Sequence, residues 1–219
     1  MCFNAQASFG AAVALTAIGA VSLRRVTRRA LLPFAAIPLL FAIQQVSEGM
    51  LWRVLVTAPW GRSADPIGRV FLFFALFVWP SYLPLSLWVA EEEPQRARWL
   101  GLLTGVGTVV GGYLMACAVL RPSYACIAFG NLYYGVDTDA VLRPLVPFVY
   151  VATILAPLLV SSLRGARAIA LVALASFSIA GTLFRVGFAS VWCFFAAVLS
   201  GVVAIVAGLY REVPTARAA

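Results

Sequence analysis

From Ala30 to Trp52 the chain carries one ionisable side chain, Glu48, within an apolar run long enough to cross a hydrocarbon layer about 30 Å thick. In such a layer every backbone N–H and C=O needs a partner inside its own segment or in a closed barrel. Comparable apolar runs lie at about 4–23, 67–90, 99–120, 145–163, 168–186 and 190–210. The expected fold is therefore all-α: an integral membrane bundle of seven transmembrane helices, with residues 1–219 forming one transmembrane domain. The chain is 63% hydrophobic and 11% charged. A soluble domain is about 45–50% apolar and about 25% charged, so the composition agrees.

Arginines set the expected orientation. Arg24, Arg25, Arg28 and Arg29 follow the first run, which places them in the cytoplasm and the N-terminus outside, with the C-terminus cytoplasmic. Positive charges that follow the first apolar run, and do not precede it, do not fit a cleavable signal peptide. The expected location is a cell membrane, crossed many times, namely the bacterial inner membrane. The lipid bilayer is the expected partner. No nucleic acid is expected, because the arginines flank apolar runs and form no stripe interleaved with aromatics. Glu91, Glu92 and Glu93 read as a solvated cytoplasmic face, and Asp137 and Asp139 as solvated outer-loop groups. The segment 58–66 is rich in turn formers, and 121–144 contains a small hairpin turning near Gly130 and Asn131. Pro80 and Pro84 predict a kink in the third helix. Gly101, Gly105, Gly107, Gly111 and Gly112 predict close packing of the fourth.

The chain has no histidine, and its sixteen basic residues are all arginine. A retinal-type Schiff base, imidazole-ligated metal or haem, and a Ser-His-Asp triad are thereby excluded. What remains is centred on Glu48. Gln44, Glu48 and Trp52 share a helix face, with Gln45 beside it, and Glu48 is expected within about a turn of the outer helix end. A carboxyl group at depth needs a partner or a wet cavity. Arg185, near the outer end of the sixth helix, is the expected partner, whereas Arg53 points away. The functional expectation is an outer-half pocket that binds or transports a small polar molecule, a cation or a proton. Gln44, Gln45, Glu48, Trp52 and Arg185 would line it, and Asn4 and Gln6 would sit at its outer edge. The structural alternative is a carboxylate that only fixes helix packing.

Cys2, Cys117, Cys126 and Cys193 all fall at the outer side of this topology, where disulfides form. Cys117–Cys126 and Cys2–Cys193 are one of the three possible connectivities. A membrane thiol oxidoreductase is the competing function, although a Cys-x-x-Cys pair is missing. A third is a structural or assembly partner, favoured by the glycine ridge. The cysteines lack the close spacing of a metal site, so neither metal nor cofactor is expected. Trp79, Tyr82, Tyr113 and Trp192 either line a pocket or fill the interior.

The opening Met1 to Phe9, reading Met-Cys-Phe-Asn-Ala-Gln-Ala-Ser-Phe, and the segment Gln44 to Trp52, reading Gln-Gln-Val-Ser-Glu-Gly-Met-Leu-Trp, together resemble a family of bacterial integral membrane proteins. Its members share a Met-Cys-Phe-Ser-Ala-x-Ala-Ser-Phe start and a Gln-Gln-x-x-Glu-Gly-x-x-Trp motif in the second helix. The resemblance covers most of the chain. It implies an integral membrane fold and supplies no activity. Asn4 stands where serine is typical, so a role for a hydroxyl does not carry over.

Overall fold

The computed structural model describes residues 4–57, 64–183 and 187–208. Helix α1 spans Ala5–Arg25, opened by the Asn4 side chain, which accepts from the Ala7 N–H at 2.8 Å. A 3₁₀ turn, Arg29–Leu31, leads into α2, Leu32–Ala35, and α3, Ile37–Thr57. The break between α2 and α3 coincides with Pro33 and Pro38, which cannot donate to the helical ladder. There the Tyr82 hydroxyl donates to the Pro33 carbonyl at 2.8 Å.

The third passage is α4, Ala64–Leu72, a π-helical turn at Phe73–Val78, and α5, Trp79–Ala90. Pro80 withholds an N–H from the turn before it, and the Tyr150 hydroxyl donates to the Ala75 carbonyl in that turn. The expected kink is thus a stretch of π-helix, stabilised from a neighbouring helix. The next helix, α6, spans Pro94–Leu120, with the Glu93 carboxylate capping the Gln95 and Arg96 N–H groups. It starts earlier than expected, because Glu93 followed by Pro94 is an N-terminal helix signal. Strands β1, Ser123–Ala128, and β2, Asn131–Val136, form the antiparallel hairpin, with Phe129 and Gly130 in the left-handed region at its turn. The chain closes with α7, Val146–Val160, α8, Ala166–Leu183, and α9, Phe188–Gly208.

Six helical stretches are long and apolar enough to cross a membrane, and α7 is apolar but shorter, at 15 residues. The protein is thus an all-helical, membrane-type bundle with one small hairpin. Neighbour contacts arrange α3, the α4–α5 passage, α7, α8 and α9 as a ring. Helix α1 packs outside α3 and α9, and α6 packs outside α5 and α7. The glycines of α6 divide. A Cβ on Gly107 would lie 1.8 Å from the Pro80 carbonyl oxygen, and one on Gly111 would lie 2.9 Å from that of Leu76. Gly105 and Gly112 face open space, so only part of the expected ridge is packed within the chain.

Loop carboxylates expected to be merely solvated are engaged. Asp139 pairs with Arg121 at 2.7 Å and accepts from the Tyr113 hydroxyl at 2.7 Å, while Asp137 pairs with Arg143 at 2.7 Å. The Arg121 and Tyr113 hydrogen bonds hold the Asp139 carboxyl below the ordinary aspartate range. Across the opposite end, Glu92 pairs with Arg28 at 3.0 Å, and Glu91 accepts from the Ser162 N–H at 2.8 Å and hydroxyl at 2.5 Å. Partial burial raises the Glu91 pKa, but the Ser162 bonds, the Glu93 N–H and nearby Arg96 outweigh it, and the net shift is downward.

Candidate functional site

The middle of α3 is where the polar residues of the second helix are stored. Gln44, Gln45 and Glu48 are completely buried, and Ser47 is nearly so. The helix runs on to Thr57, nine residues beyond Glu48. The carboxyl therefore lies about 14 Å from the helix end, deeper than the expected single turn. The extension exists because Leu51, Trp52 and Leu55 pack in an apolar cluster with Leu132 of the hairpin. Arg53 is exposed, facing away as expected.

Each polar side chain reaches a different partner. Glu48 Oε1 accepts from the Ser190 hydroxyl of α9 at 2.5 Å, and Glu48 Oε2 accepts from Gln45 Nε2 at 3.2 Å. Gln44 Oε1 accepts from the Trp79 indole N–H at 2.8 Å, which ties α3 to α5. The Gln44 amide lies beside the Cys193 thiol of α9. The Ser47 hydroxyl turns back to the Gln44 carbonyl at 2.7 Å. Gln44 Nε2 and Gln45 Oε1 are buried with no hydrogen-bond partner among the described residues. One donor and one acceptor are thus left open beside a buried carboxyl group. In folded proteins such groups nearly always have partners, and where one lacks a protein partner a bound molecule is the usual reason.

The remaining expected site residues divide. Trp52 sits one turn outward of Glu48 in the hairpin cluster, its indole nitrogen buried without a partner. Arg185 and Cys2 lie outside the described residues. Asn4 and Gln6 do not join the cluster: Asn4 is occupied as the cap of α1, and Gln6 is exposed. Asparagine and serine are both good N-caps, which accounts for the departure at position 4. The expected bridge between Cys117 and Cys126 is not formed, and Cys117, Cys126 and Cys193 are free thiols. Cys126 sits in β1 opposite Tyr133, while Cys117 is buried in α6.

Spacing alone gave no sign of the largest feature, a cavity of about 80 Å³ inside the ring of α3, α5, α7, α8 and α9. Phe41 and Trp79, stacked with centroids 3.8 Å apart, form part of its wall. Trp192 and Tyr150 meet edge to face at 5.6 Å across it. Cys193 also lines it, so the cavity adjoins the buried polar cluster through Trp79 and Cys193. Of the four aromatics expected to line a pocket or fill space, Trp79 and Trp192 do line it. Tyr82 and Tyr113 instead hold Pro33 and Asp139. Among the described residues, no three Cys, Asp or Glu side chains gather closely enough to hold a metal ion.

No curated protein and no solved structure matches this chain. A family model described as "Family of unknown function (DUF6629)" matches residues 1–218, and the chain belongs to that family.

Proposed function

We propose that this is a multi-pass protein of the bacterial inner membrane, with seven passes, its N-terminus outside and its C-terminus cytoplasmic. In this reading it binds a small ligand at the buried polar cluster of α3 and moves protons or a cation through Glu48. The observation that carries the reading is the pair of open hydrogen-bonding atoms, Gln44 Nε2 and Gln45 Oε1, beside a carboxyl group with no exposed surface. A cluster serving only to fix packing would be expected to satisfy itself, since a buried polar atom without a partner costs about 1–3 kcal/mol. Intramembrane carboxyl groups that face a bundle interior mark ion and proton routes by default. The thiol oxidoreductase reading lacks comparable support, because the described cysteines form no pair.

The test is proton flux into proteoliposomes loaded with a pH-sensitive dye, comparing the wild-type chain with Glu48→Gln. The reading expects flux in the wild type and its loss in the variant, with thermal melting showing that both are folded. Equal flux in two folded proteins would remove Glu48 from the function.

A further inference from the structure

We propose that the cavity within the helix ring is a binding site for a single fatty acyl chain, its oxygen-bearing end directed toward Trp192 and Cys193. Shape is the first argument. On α7 the lining runs from Tyr150 to Leu158, and on α9 from Trp192 to Val203. At the helical rise these spans are about 12 Å and about 16 Å along the bundle axis. A volume of about 80 Å³ drawn out over that distance is narrow. A linear hydrocarbon threads such a slot, whereas a fused ring system or a branched polar headgroup needs more width.

Chemistry is the second argument. Most polar atoms of the wall are already engaged inside the protein. The Tyr150 hydroxyl donates to the Ala75 carbonyl, the Trp79 indole to Gln44, and the Ser200 hydroxyl to the Ala197 carbonyl. The wall they leave is hydrocarbon and aromatic surface, which offers a polar ligand little to bind. The exception is Trp192, whose indole N–H is buried without a hydrogen-bond partner. It lies in the first turns of α9, next to Cys193 and hence near the Gln44 cluster. An apolar slot with one open donor at one end fits an apolar chain ending in an oxygen acceptor.

Access is the third. Leu83, Tyr150, Ala196 and Leu199 are half-buried, so the wall of the cavity reaches the bundle surface. A chain can then enter sideways from surrounding lipid. This deepens the function proposed above and rests on it for the purpose of the acyl site. Its test does not depend on Glu48.

The test is photo-crosslinking of the full-length protein in nanodiscs. A diazirine-bearing fatty acid is added in one arm, and phosphatidylcholine carrying the same diazirine chain in the other. Labelled residues are then mapped by mass spectrometry. The expected result is saturable labelling of cavity-wall residues such as Ile154 and Leu158, alongside labelling of outward-facing Val109 and Leu171. Ala173→Phe, which fills the cavity, should lower the inward labelling about tenfold or more and leave the outward labelling unchanged. Val203→Phe serves as the second filling variant if Ala173→Phe melts early. Inward labelling from the fatty acid alone identifies a free acid as the ligand. Inward labelling from phosphatidylcholine alone identifies a chain of a bilayer lipid. Outward labelling only, in both arms, overturns the proposal, as does inward labelling that survives both filled variants. Loss of inward labelling with Glu48-dependent proton flux intact would overturn the acyl site and spare the Glu48 reading. The converse pair of results would do the opposite.

Discussion

The hydroxyl of Ser190 donates to Oε1 of Glu48 across 2.5 Å, joining residues 142 positions apart in the chain. Through this bond α9 is registered against α3 at a completely buried carboxyl group. Ser190→Ala should therefore destabilise the bundle by about 1–2 kcal/mol, the range for losing a hydrogen bond to a charged or buried group. Glu48→Ala should cost more, because it also strands Gln45 Nε2. Thermal melting in matched detergent checks the order. Equal melting temperatures for Ser190→Ala and the wild type would show that the bond does not hold the two helices together.

Gly107 and Gly105 lie two residues apart on α6 and should behave oppositely. Gly107→Ala drives a methyl group into the Pro80 carbonyl and should destabilise by about 1–3 kcal/mol, in the range for overpacking. Gly105→Ala meets open space and should be neutral or stabilise by up to about 1 kcal/mol through helix propensity. Melting of the two single variants makes the comparison.

Tyr150→Phe removes the donor that serves the Ala75 carbonyl in the π-helical turn. The loss should be about 1–3 kcal/mol, since the carbonyl then lies buried without that partner. Hydrogen exchange localised to Phe73–Val78 should rise more than exchange elsewhere in the third passage. Unchanged exchange there would mean that the turn does not depend on Tyr150.

Glu91 gives the cytoplasm-facing end a pH dependence with a definite sign. Its carboxyl pKa is lowered in the folded protein, so its contribution is present above the ordinary glutamate range and fades as pH falls through the folded value. Comparing wild type with Glu91→Gln, the difference in melting temperature should be largest near neutral pH and shrink as the solution is acidified below about pH 4. The group is partly solvated, so the effect should be on the order of 1 kcal/mol. A difference that grows on acidification would reverse the assignment.

Cys126 and Cys193 should differ in reactivity in the intact protein. Cys126, half-buried on the hairpin, should react with a membrane-impermeant maleimide added to the outer face, whereas buried Cys193 should react only after unfolding. Labelling of Cys126 from the cytoplasmic side alone would invert the proposed orientation.

Much of the helical framework was legible in the sequence, because apolar runs bounded by arginine and proline leave the backbone few choices in lipid. The hairpin was legible too, since Gly130 and Asn131 interrupt a pattern suited to strands. Helix ends were less so. Trp52 and Arg53 look like an interface, yet α3 continues to Thr57, because the hairpin covers Trp52 and Leu55. The engagement of Asp139 by Tyr113, or of Glu91 by Ser162, joins residues far apart in the chain and leaves no local pattern. The cavity was invisible for the same reason, being a property of five helices at once. The clustering of Gln44, Gln45 and Glu48 was read correctly as buried and polar. Their division of labour, with Trp79 taken by Gln44 and Ser190 by Glu48, required the partners to be seen.

The π-helical turn at Phe73–Val78 acts as a phase setting for the rest of its passage. Each residue of an α-helix turns the chain by about 100°, so one residue more or fewer in that turn rotates everything after it by that angle. With the present length, Trp79 meets Gln44 on one side and Pro80 meets Gly107 on the other. A single-residue deletion there would leave composition and hydropathy almost untouched, yet would swing Trp79 away from Gln44 and carry Pro80 off its glycine. In this bundle, the count of residues between Leu72 and Trp79 fixes as much of the interior as their chemistry does.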